Sequence, residues 1–303
     1  MSSLPAEVSV LNLRGDQAAG LRRLFSRPRL RIVSFAAGSV GVGKSLTVAN
    51  LAACLARRGK EVLVVDENTD DSVAAYYGVL VRHDLQQVLR REKSLSEVIL
   101  SVAPGVRVLP AAKVVKQLAS LSVVEQRILL DSLGQIERPA DVVLVDTSLD
   151  HPLGFSPLGL AAQDTVIVVS PNGASITDAY ALIKKVSLGY ARKHFRILVN
   201  KARTASDAQG VHDNLAEVAH SRQLARLDYA GYVPLDESLR QASRLCQPVA
   251  GLFPEAPSAQ AYDRVVSELL NWPGGDADVR GLEHFVQQLL HLSHRIDPAA
   301  IYA

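Results

Sequence analysis

Cysteine is scarce in this sequence, and the two cysteines present stand far apart. Cys54 and Cys246 are the only ones among 303 residues, and neither belongs to a CxxC pair or a cluster with histidine. No zinc or iron–sulfur site can be read from such spacing. Two isolated thiols are typical of a reducing compartment, so we expect a cytoplasmic protein.

Long apolar runs and an excess of one charge are also missing. No stretch reaches the roughly 18 apolar residues of a membrane span, and the N-terminus lacks the apolar core of a signal peptide. The 33 basic and 31 acidic residues leave a net charge of +2. A near-neutral chain of this kind argues against direct nucleic-acid binding, although a local basic patch would escape the count.

What the sequence does contain is a series of apolar runs that alternate with helical patterns. Runs that are continuously apolar are typical of buried parallel strands, and the helical stretches between them predict right-handed crossovers. We therefore predict an α/β fold: a doubly wound, mostly parallel sheet with helices on both faces. The predicted strands begin at Leu30, Glu61, Val106, Asp141, Thr165 and Arg196, with a short last strand at residues 231–234.

The predicted domain spans residues 29–271 and closes with a helix at 258–271. A polar tail of residues 1–28 precedes it. A linker rich in helix-breaking residues follows at 272–280, and one further helix is predicted within 281–303.

Residues 38–45 match the pattern GxxxxGK[ST] between the first predicted strand and a predicted helix that begins at Lys44. That context supports a phosphate-binding loop whose backbone N–H groups surround phosphate oxygens, with Lys44 on the β and γ phosphates and Ser45 on Mg²⁺. The alternative is a glycine-rich turn without a ligand. The predicted nucleotide contacts of this segment are Gly38, Ser39, Val40, Gly41, Val42, Gly43, Lys44, Ser45 and Leu46.

The run at residues 141–147 is an apolar strand that ends in Asp146, the form of a Walker B segment. In that role Asp146 lies beside the loop and acts on Mg²⁺ through bound water. The alternative is an aspartate that caps the following turn. Together with the loop, the strand favours the first interpretation. We therefore predict ATP and Mg²⁺ as cofactors, with Ser45 and Asp146 at the metal.

These motifs resemble the MinD/ParA class of P-loop ATPases, whose loop usually reads KGGxGK[ST]. The stretch SITDAYALIK at residues 175–184 is similar to a segment of MinD-like proteins. The resemblance implies a nucleotide-dependent homodimer in which Asn200 reads the adenine edge and the segment around Pro234 lines the base. Asn200 as a simple turn residue is the alternative. The guanine-specific pattern NKxD is absent, because Arg203 stands at its last position.

Two positions depart from that class. Ser39 replaces the signature lysine, which in the class reaches the phosphates of the partner subunit. Asn68 replaces the second carboxylate of an Asp-x-Asp pair, and an asparagine cannot accept a proton as a general base does. Asp66 matches the first carboxylate, so the resemblance implies a catalytic set of Lys44, Asp66 and Asp146. We expect ATP binding with slow or impaired hydrolysis.

The tail narrows the resemblance to one group within the class. Residues 16–24 read DQAAGLRRL and resemble the DQAxxLR element of FlhG/FleN proteins, the MinD-like regulators of flagellar number and placement. In that group the element stimulates FlhF, a GTPase of the signal-recognition type, and a glutamine supplied in trans can orient an attacking water. The alternative is a solvated tail. The implied partner contacts are Asp16, Gln17, Leu21 and Arg22.

The last predicted helix is amphipathic. Its polar face carries a single arginine and no lysine. The helix fits either peripheral contact with the inner face of the cell membrane or docking on its own domain, and both interpretations stay open. The predicted membrane-facing residues are Leu282, Phe285, Val286, Leu289 and Ile296.

The whole resemblance implies an ATP-binding switch that sets flagellar number or position with an FlhF-type GTPase. Two alternatives remain. One is a ParA-type partitioning ATPase, against which the near-neutral charge and the DQAxxLR-like element argue. The other is a degenerate ATP-binding scaffold, against which the intact Lys44, Ser45 and Asp146 argue.

Overall fold

The computed structural model describes residues 30–134, 140–151 and 155–273. The DQAxxLR-like element, most of the linker and the C-terminal helix lie outside these ranges, so the roles assigned to residues 16–24 and 282–296 stay predictions. Within the described ranges, no helix combines the length and the apolar character needed to cross a bilayer.

Eight strands form one sheet in the order β3-β4-β2-β5-β1-β6-β7-β8. All neighbours are parallel except β3 and β4. The predicted doubly wound, mostly parallel sheet is thus confirmed. The strands are β1 (Arg31–Ala36), β2 (Val62–Asp66), β3 (Leu100–Ala103), β4 (Val106–Pro110), β5 (Val142–Asp146), β6 (Asp164–Val169), β7 (His194–Ala202) and β8 (Arg226–Pro234).

Helices cover both faces of the sheet. They are α1 (Lys44–Arg57), α2 (Leu85–Leu89), α3 (Leu95–Val98), α4 (Ala112–Lys116), α5 (Val123–Gly134), α6 (Pro157–Ala161), α7 (Gly173–Tyr190), α8 (Ala205–Ser221), α9 (Glu237–Arg244), α10 (Val249–Leu252) and α11 (Pro257–Asn271). A 3₁₀ helix at Val73–Tyr77 follows β2.

Successive side chains of β2 enter two different cores, as the alternation of a strand requires. Val62 and Val64 pack on the face covered by α1, whereas Leu63 and Val65 pack on the opposite face. All four are at least nine-tenths buried, which explains why a parallel strand reads as a continuous apolar run.

Two strands differ from the sequence prediction. The edge strand β3 is antiparallel to β4, half exposed and only four residues long, so it leaves no continuous apolar run. β8 begins at Arg226, five residues before the predicted start, because only Leu227 and Ala230 are buried among its first five residues. Gly231 divides the strand at a φ of 115°, next to a register shift against β7.

Candidate nucleotide-binding site

The loop between β1 and α1 has the backbone of a phosphate cradle. Gly41 and Gly43 adopt φ values of 75° and 85°, a left-handed region that favours glycine. Gly43 caps α1, and among the described residues no side chain caps the first-turn N–H groups of that helix. Those donors and the helix dipole therefore favour an anion at this point.

Gly38, the first residue of the motif, is held in close contact with α7. A Cβ atom at this position would lie 2.2 Å from the carbonyl carbon of Asp178 and 2.5 Å from the backbone nitrogen of Ala179. Backbone atoms cannot rotate away as a side chain can. The helix that carries the SITDAYALIK stretch thus packs directly on the start of the loop, where only glycine fits.

Lys44 and Asp146 form a buried ion pair beside the loop. The Lys44 ammonium donates to Oδ1 of Asp146, and both side chains are more than nine-tenths buried. Burial raises the pKa of Asp146, whereas Lys44 and a hydrogen bond from Ser45 oppose that shift. The structure therefore brings Lys44, Ser45 and Asp146 together, as the sequence predicts for a nucleotide and Mg²⁺ site.

Asp66 holds the chain segment that follows β2. Its Oδ2 accepts hydrogen bonds from the Ser72 hydroxyl and the Val73 amide, both at 2.7 Å, and its Oδ1 accepts one from the Asn68 amide at 3.0 Å. Burial, then the charge of Asp146, raises the pKa of Asp66 to about 6. In this arrangement both carboxylate oxygens of Asp66 organise the loop that leads into the 3₁₀ helix.

Asn200 joins the end of β7 to the phosphate loop. Its Nδ2 donates to the Val42 carbonyl at 2.8 Å, and its Oδ1 accepts from the Lys201 amide at 2.9 Å. The side chain is almost fully buried. Pro234, the last residue of β8, pairs with Ala202 at the same edge of the sheet. The Asn200 amide thus contacts and positions the loop itself, whereas Pro234 is placed only by its pairing with β7.

This donor set fits a nucleoside triphosphate with Mg²⁺. The loop offers uncapped N–H groups at a helix N-terminus, Lys44 offers an ammonium with three donors, and Ser45 and Asp146 offer the oxygens that Mg²⁺ prefers. The carboxyl ends of β1, β2 and β5 meet here. Ligands of open α/β sheets bind at this edge of the sheet.

Comparison with known proteins decides the family. The sequence profile of the AAA domain family matches residues 30–197. The antiactivator FleN of Pseudomonas aeruginosa is 31% identical over 272 residues, covering 89% of this chain and 97% of the relative. The chain is a FlhG/FleN-type protein of the MinD/ParA class. The flagellum site-determining protein YlxH of Helicobacter pylori is 25% identical, covering 86% of this chain and 90% of that relative.

Solved structures agree with the fold of this FlhG/FleN-type chain. The MinD cell division protein of Aquifex aeolicus superposes with a TM-score of 0.61 at 19% identity, covering 80% of this chain and 98% of that one. The septum site-determining protein MinD of Pyrococcus horikoshii, solved with Mg-ADP, gives a TM-score of 0.56 at 22% identity and covers 79% and 96% of the two chains. Likeness at this level of identity concerns the architecture of the sheet and its helices.

The phosphate loop of this FlhG/FleN-type chain departs from the KGGxGK[ST] pattern at two neighbouring positions, one now polar and the other apolar. Ser39 stands at the position of the signature lysine, and Val40, which replaces the next glycine of KGGxGK[ST], exposes 84% of its surface. Both residues line a cleft of about 960 Å³ beside the loop, a volume in the range of small-molecule sites. The cleft is also bordered by Asp178, Lys201, Arg203, Asp207 and Leu235.

Sequence reasoning missed Glu67, which is 2% exposed. Its carboxylate accepts hydrogen bonds from the Ser156 hydroxyl at 2.5 Å and the Ser148 amide at 3.0 Å. Burial raises its pKa to about 7. By the alternation along β2, Glu67 falls on the face of Leu63 and Val65, and the charge of Lys44 opposes part of the rise in its pKa. That alternation was the available signal that this acid is buried.

Proposed function

We propose that this protein is an ATP- and Mg²⁺-binding switch that regulates flagellar number or position. The observation that carries the proposal is the buried Lys44–Asp146 pair beside an uncapped glycine loop in a chain of the FlhG/FleN type. The flagellar part of the proposal is supported by two relatives, which are described as an antiactivator and as a flagellum site-determining protein.

In the proposed ATP-bound state the loop N–H groups and Lys44 would hold the phosphate chain, while Ser45 and Asp146 would hold Mg²⁺. Bound there, Mg²⁺ would supply positive charge that offsets the charge of the phosphates. A nucleotide shifts an equilibrium only through contacts that differ between the two states. We propose that some contacts to the γ-phosphate exist only in a homodimer, so ATP favours the dimer and ADP the monomer.

Hydrolysis is proposed to be slow. The state of the switch then depends on whether ATP is bound, and turnover contributes little. Asn68 directs its amide, a donor, at Asp146, and Asp66 uses its oxygens to hold Ser72, Val73 and Asn68. Neither group is then arranged to take a proton from an attacking water. The same observations favour a second candidate function, an ATP-binding scaffold with almost no turnover.

The partner is proposed to be an FlhF-type GTPase, contacted through Asp16, Gln17, Leu21 and Arg22. This activity requires no hydrolysis by the protein itself, so it is compatible with the changes at Ser39 and Asn68. Peripheral attachment to the inner face of the cell membrane through the C-terminal amphipathic helix is proposed as an alternative to docking of that helix on the domain.

Sedimentation velocity with Mg²⁺ and either ADP or a non-hydrolysable ATP analogue tests the switch. The proposal expects a monomer with ADP and a dimer with the analogue. Identical sedimentation in both states, together with measured binding of both nucleotides, would favour the scaffold. The Lys44→Ala variant, which lacks the phosphate-binding ammonium, serves as the control and is expected to stay monomeric with either nucleotide.

A further inference from the structure

Lys201 reaches back from the end of β7 onto the phosphate loop. Its ammonium donates to the Gly41 carbonyl at 2.6 Å, and its Cε lies 3.8 Å from the point where a Cβ of Gly43 would stand. We propose that Lys201 supplies in cis the positive charge that the loop lacks at Ser39, and that it acts as a nucleotide-affinity residue. This inference rests on the proposed binding of ATP.

The backbone conformation at the end of β7 directs the Lys201 side chain toward the loop. Lys201 adopts a φ of 61°, an uncommon conformation for a residue with a Cβ. The register between β7 and β8 shifts at this point, between Asn200 and Ala202, and such irregularities redirect side chains. A strained residue at a strand end next to a ligand loop is a recurrent feature of functional sites.

Asn200 and Lys201 together clamp two neighbouring carbonyls of the loop. Asn200 donates to Val42 and accepts from the Lys201 amide, while Lys201 donates to Gly41. The buried amide of Asn200 thus fixes the point from which the lysine extends. The Lys201 side chain is exposed to solvent, and its hydrogen bond to the Gly41 carbonyl places the ammonium at the rim of the loop.

The Lys201 ammonium has no ionic partner in the part of the chain that the structure describes. Lys201 forms no ion pair with any residue of the described ranges, and its hydrogen bond there goes to a neutral carbonyl. An ammonium has three donors, so two remain for other groups. Asp178 and Asp207 border the same cleft, and neither is paired with Lys201.

A cation at the rim favours an anion in the cradle. The N–H groups of such a loop turn toward phosphate, and a positive charge at the rim adds attraction that salt weakens, because the Lys201 side chain is exposed. Because Lys201 belongs to the same chain as the loop, its effect does not require a second copy. It therefore acts on ADP bound to a monomer as well as on ATP.

The test compares nucleotide affinities of four full-length proteins by calorimetric titration with Mg-ADP at low and high salt. Lys201→Met keeps most of the aliphatic stem and removes the charge, and Lys201→Arg keeps a charge. Arg203→Met removes a cation of the same cleft that makes no hydrogen bond to the loop within the described residues. We expect affinity to fall about tenfold in Lys201→Met, as for loss of a charge-assisted contact, and to change less than about twofold in the other two variants.

Two further results separate charge from mere support of the loop. In Lys201→Met the dependence of affinity on salt should become shallower, since one positive charge beside the loop is gone. Adding Ser39→Lys to Lys201→Met should recover most of the affinity.

Equal binding by wild type and Lys201→Met would overturn the inference, and so would a loss of affinity with an unchanged salt dependence. Wild-type protein that binds neither ADP nor ATP would remove the proposed function first, and this inference with it.

Discussion

The side-chain amide of Asn68 donates hydrogen bonds to Asp146 at two points, to Oδ2 at 2.8 Å and to the main-chain oxygen at 3.0 Å. Asp146 Oδ1 is already paired with Lys44, so the aspartate at the end of β5 has a donor on each carboxylate oxygen. An aspartate at position 68 would place a second negative charge where a donor now stands. The amide therefore stabilises the arrangement of the site and removes a candidate base from it.

The change Asn68→Asp should consequently have opposite effects on stability and on turnover. Without nucleotide, like charges at positions 68 and 146 should lower the midpoint of thermal unfolding, and saturating Mg-ATP should reduce that difference. Together with Ser39→Lys, the change should raise ATP turnover. Phosphate release and thermal melts of the single and double variants measure both effects.

Wild-type turnover itself checks this account of hydrolysis. We expect a rate well below about 1 s⁻¹, the low end of ordinary kcat values. A wild-type rate near that mark would show that neither Ser39 nor Asn68 limits the reaction.

Glu67 should make stability depend on pH. Its pKa rises from 4.5 in the unfolded chain to about 7 in the folded protein, so the folded state binds more protons between these values. The contribution of Glu67 to the free energy of unfolding then falls as the pH rises through this window. At about 1.4 kcal/mol per pKa unit, the dependence is of the order of 3 kcal/mol.

The variant Glu67→Gln keeps the size of the side chain and cannot ionise. Its melting temperature relative to wild type should be higher at pH 8 than at pH 5, measured by thermal unfolding at both values. A difference between the two proteins that is the same at both pH values would contradict the assigned ionisation.

Gly38→Ala should damage the loop. The added methyl group would meet the backbone of Asp178 and Ala179, so α7 or the loop must move. We expect weaker nucleotide binding and a lower melting temperature. Gly189→Ala is the matched control because it adds a methyl group to α7 at a point where nothing beyond the adjoining backbone of that helix lies within 4 Å. That control should be neutral or slightly stabilising.

A peptide of residues 1–28 should stimulate phosphate release by an FlhF-type GTPase. Gln17 is the group that can position a water at the γ-phosphate, a role that alanine cannot fill. The peptide with Gln17→Ala should therefore be inactive. Equal stimulation by both peptides would show that residues 16–24 act only as a docking element. No stimulation by either peptide would support the alternative of a solvated tail.

The sheet and the loop could be predicted because their signals are local. Six buried parallel strands read as continuous apolar runs. The motif of the phosphate loop lies in eight consecutive residues, Gly38 to Ser45. The edge strand β3 could not be predicted, since a short half-exposed strand takes its stability from its neighbour β4.

The details of the site depend on register and backbone conformation, which a single sequence does not display. Asn68 meets Asp146 because Asp66 and Asp146 are partners in neighbouring strands. Lys201 reaches Gly41 because of a positive φ and an irregular strand pairing. Glu67 is buried against the usual preference of glutamate for the surface.

Calorimetric titration of ATP with Mg²⁺ into wild type and Lys44→Ala tests the central claim most directly. In the proposed function the nucleotide is held by the loop and by the Lys44 ammonium, which lies beside Asp146 in a buried site. This arrangement predicts that the ammonium is required for binding. It predicts saturable binding by wild type and no measurable binding by a folded Lys44→Ala protein, with folding checked by circular dichroism. Equal affinity of the two proteins would contradict it.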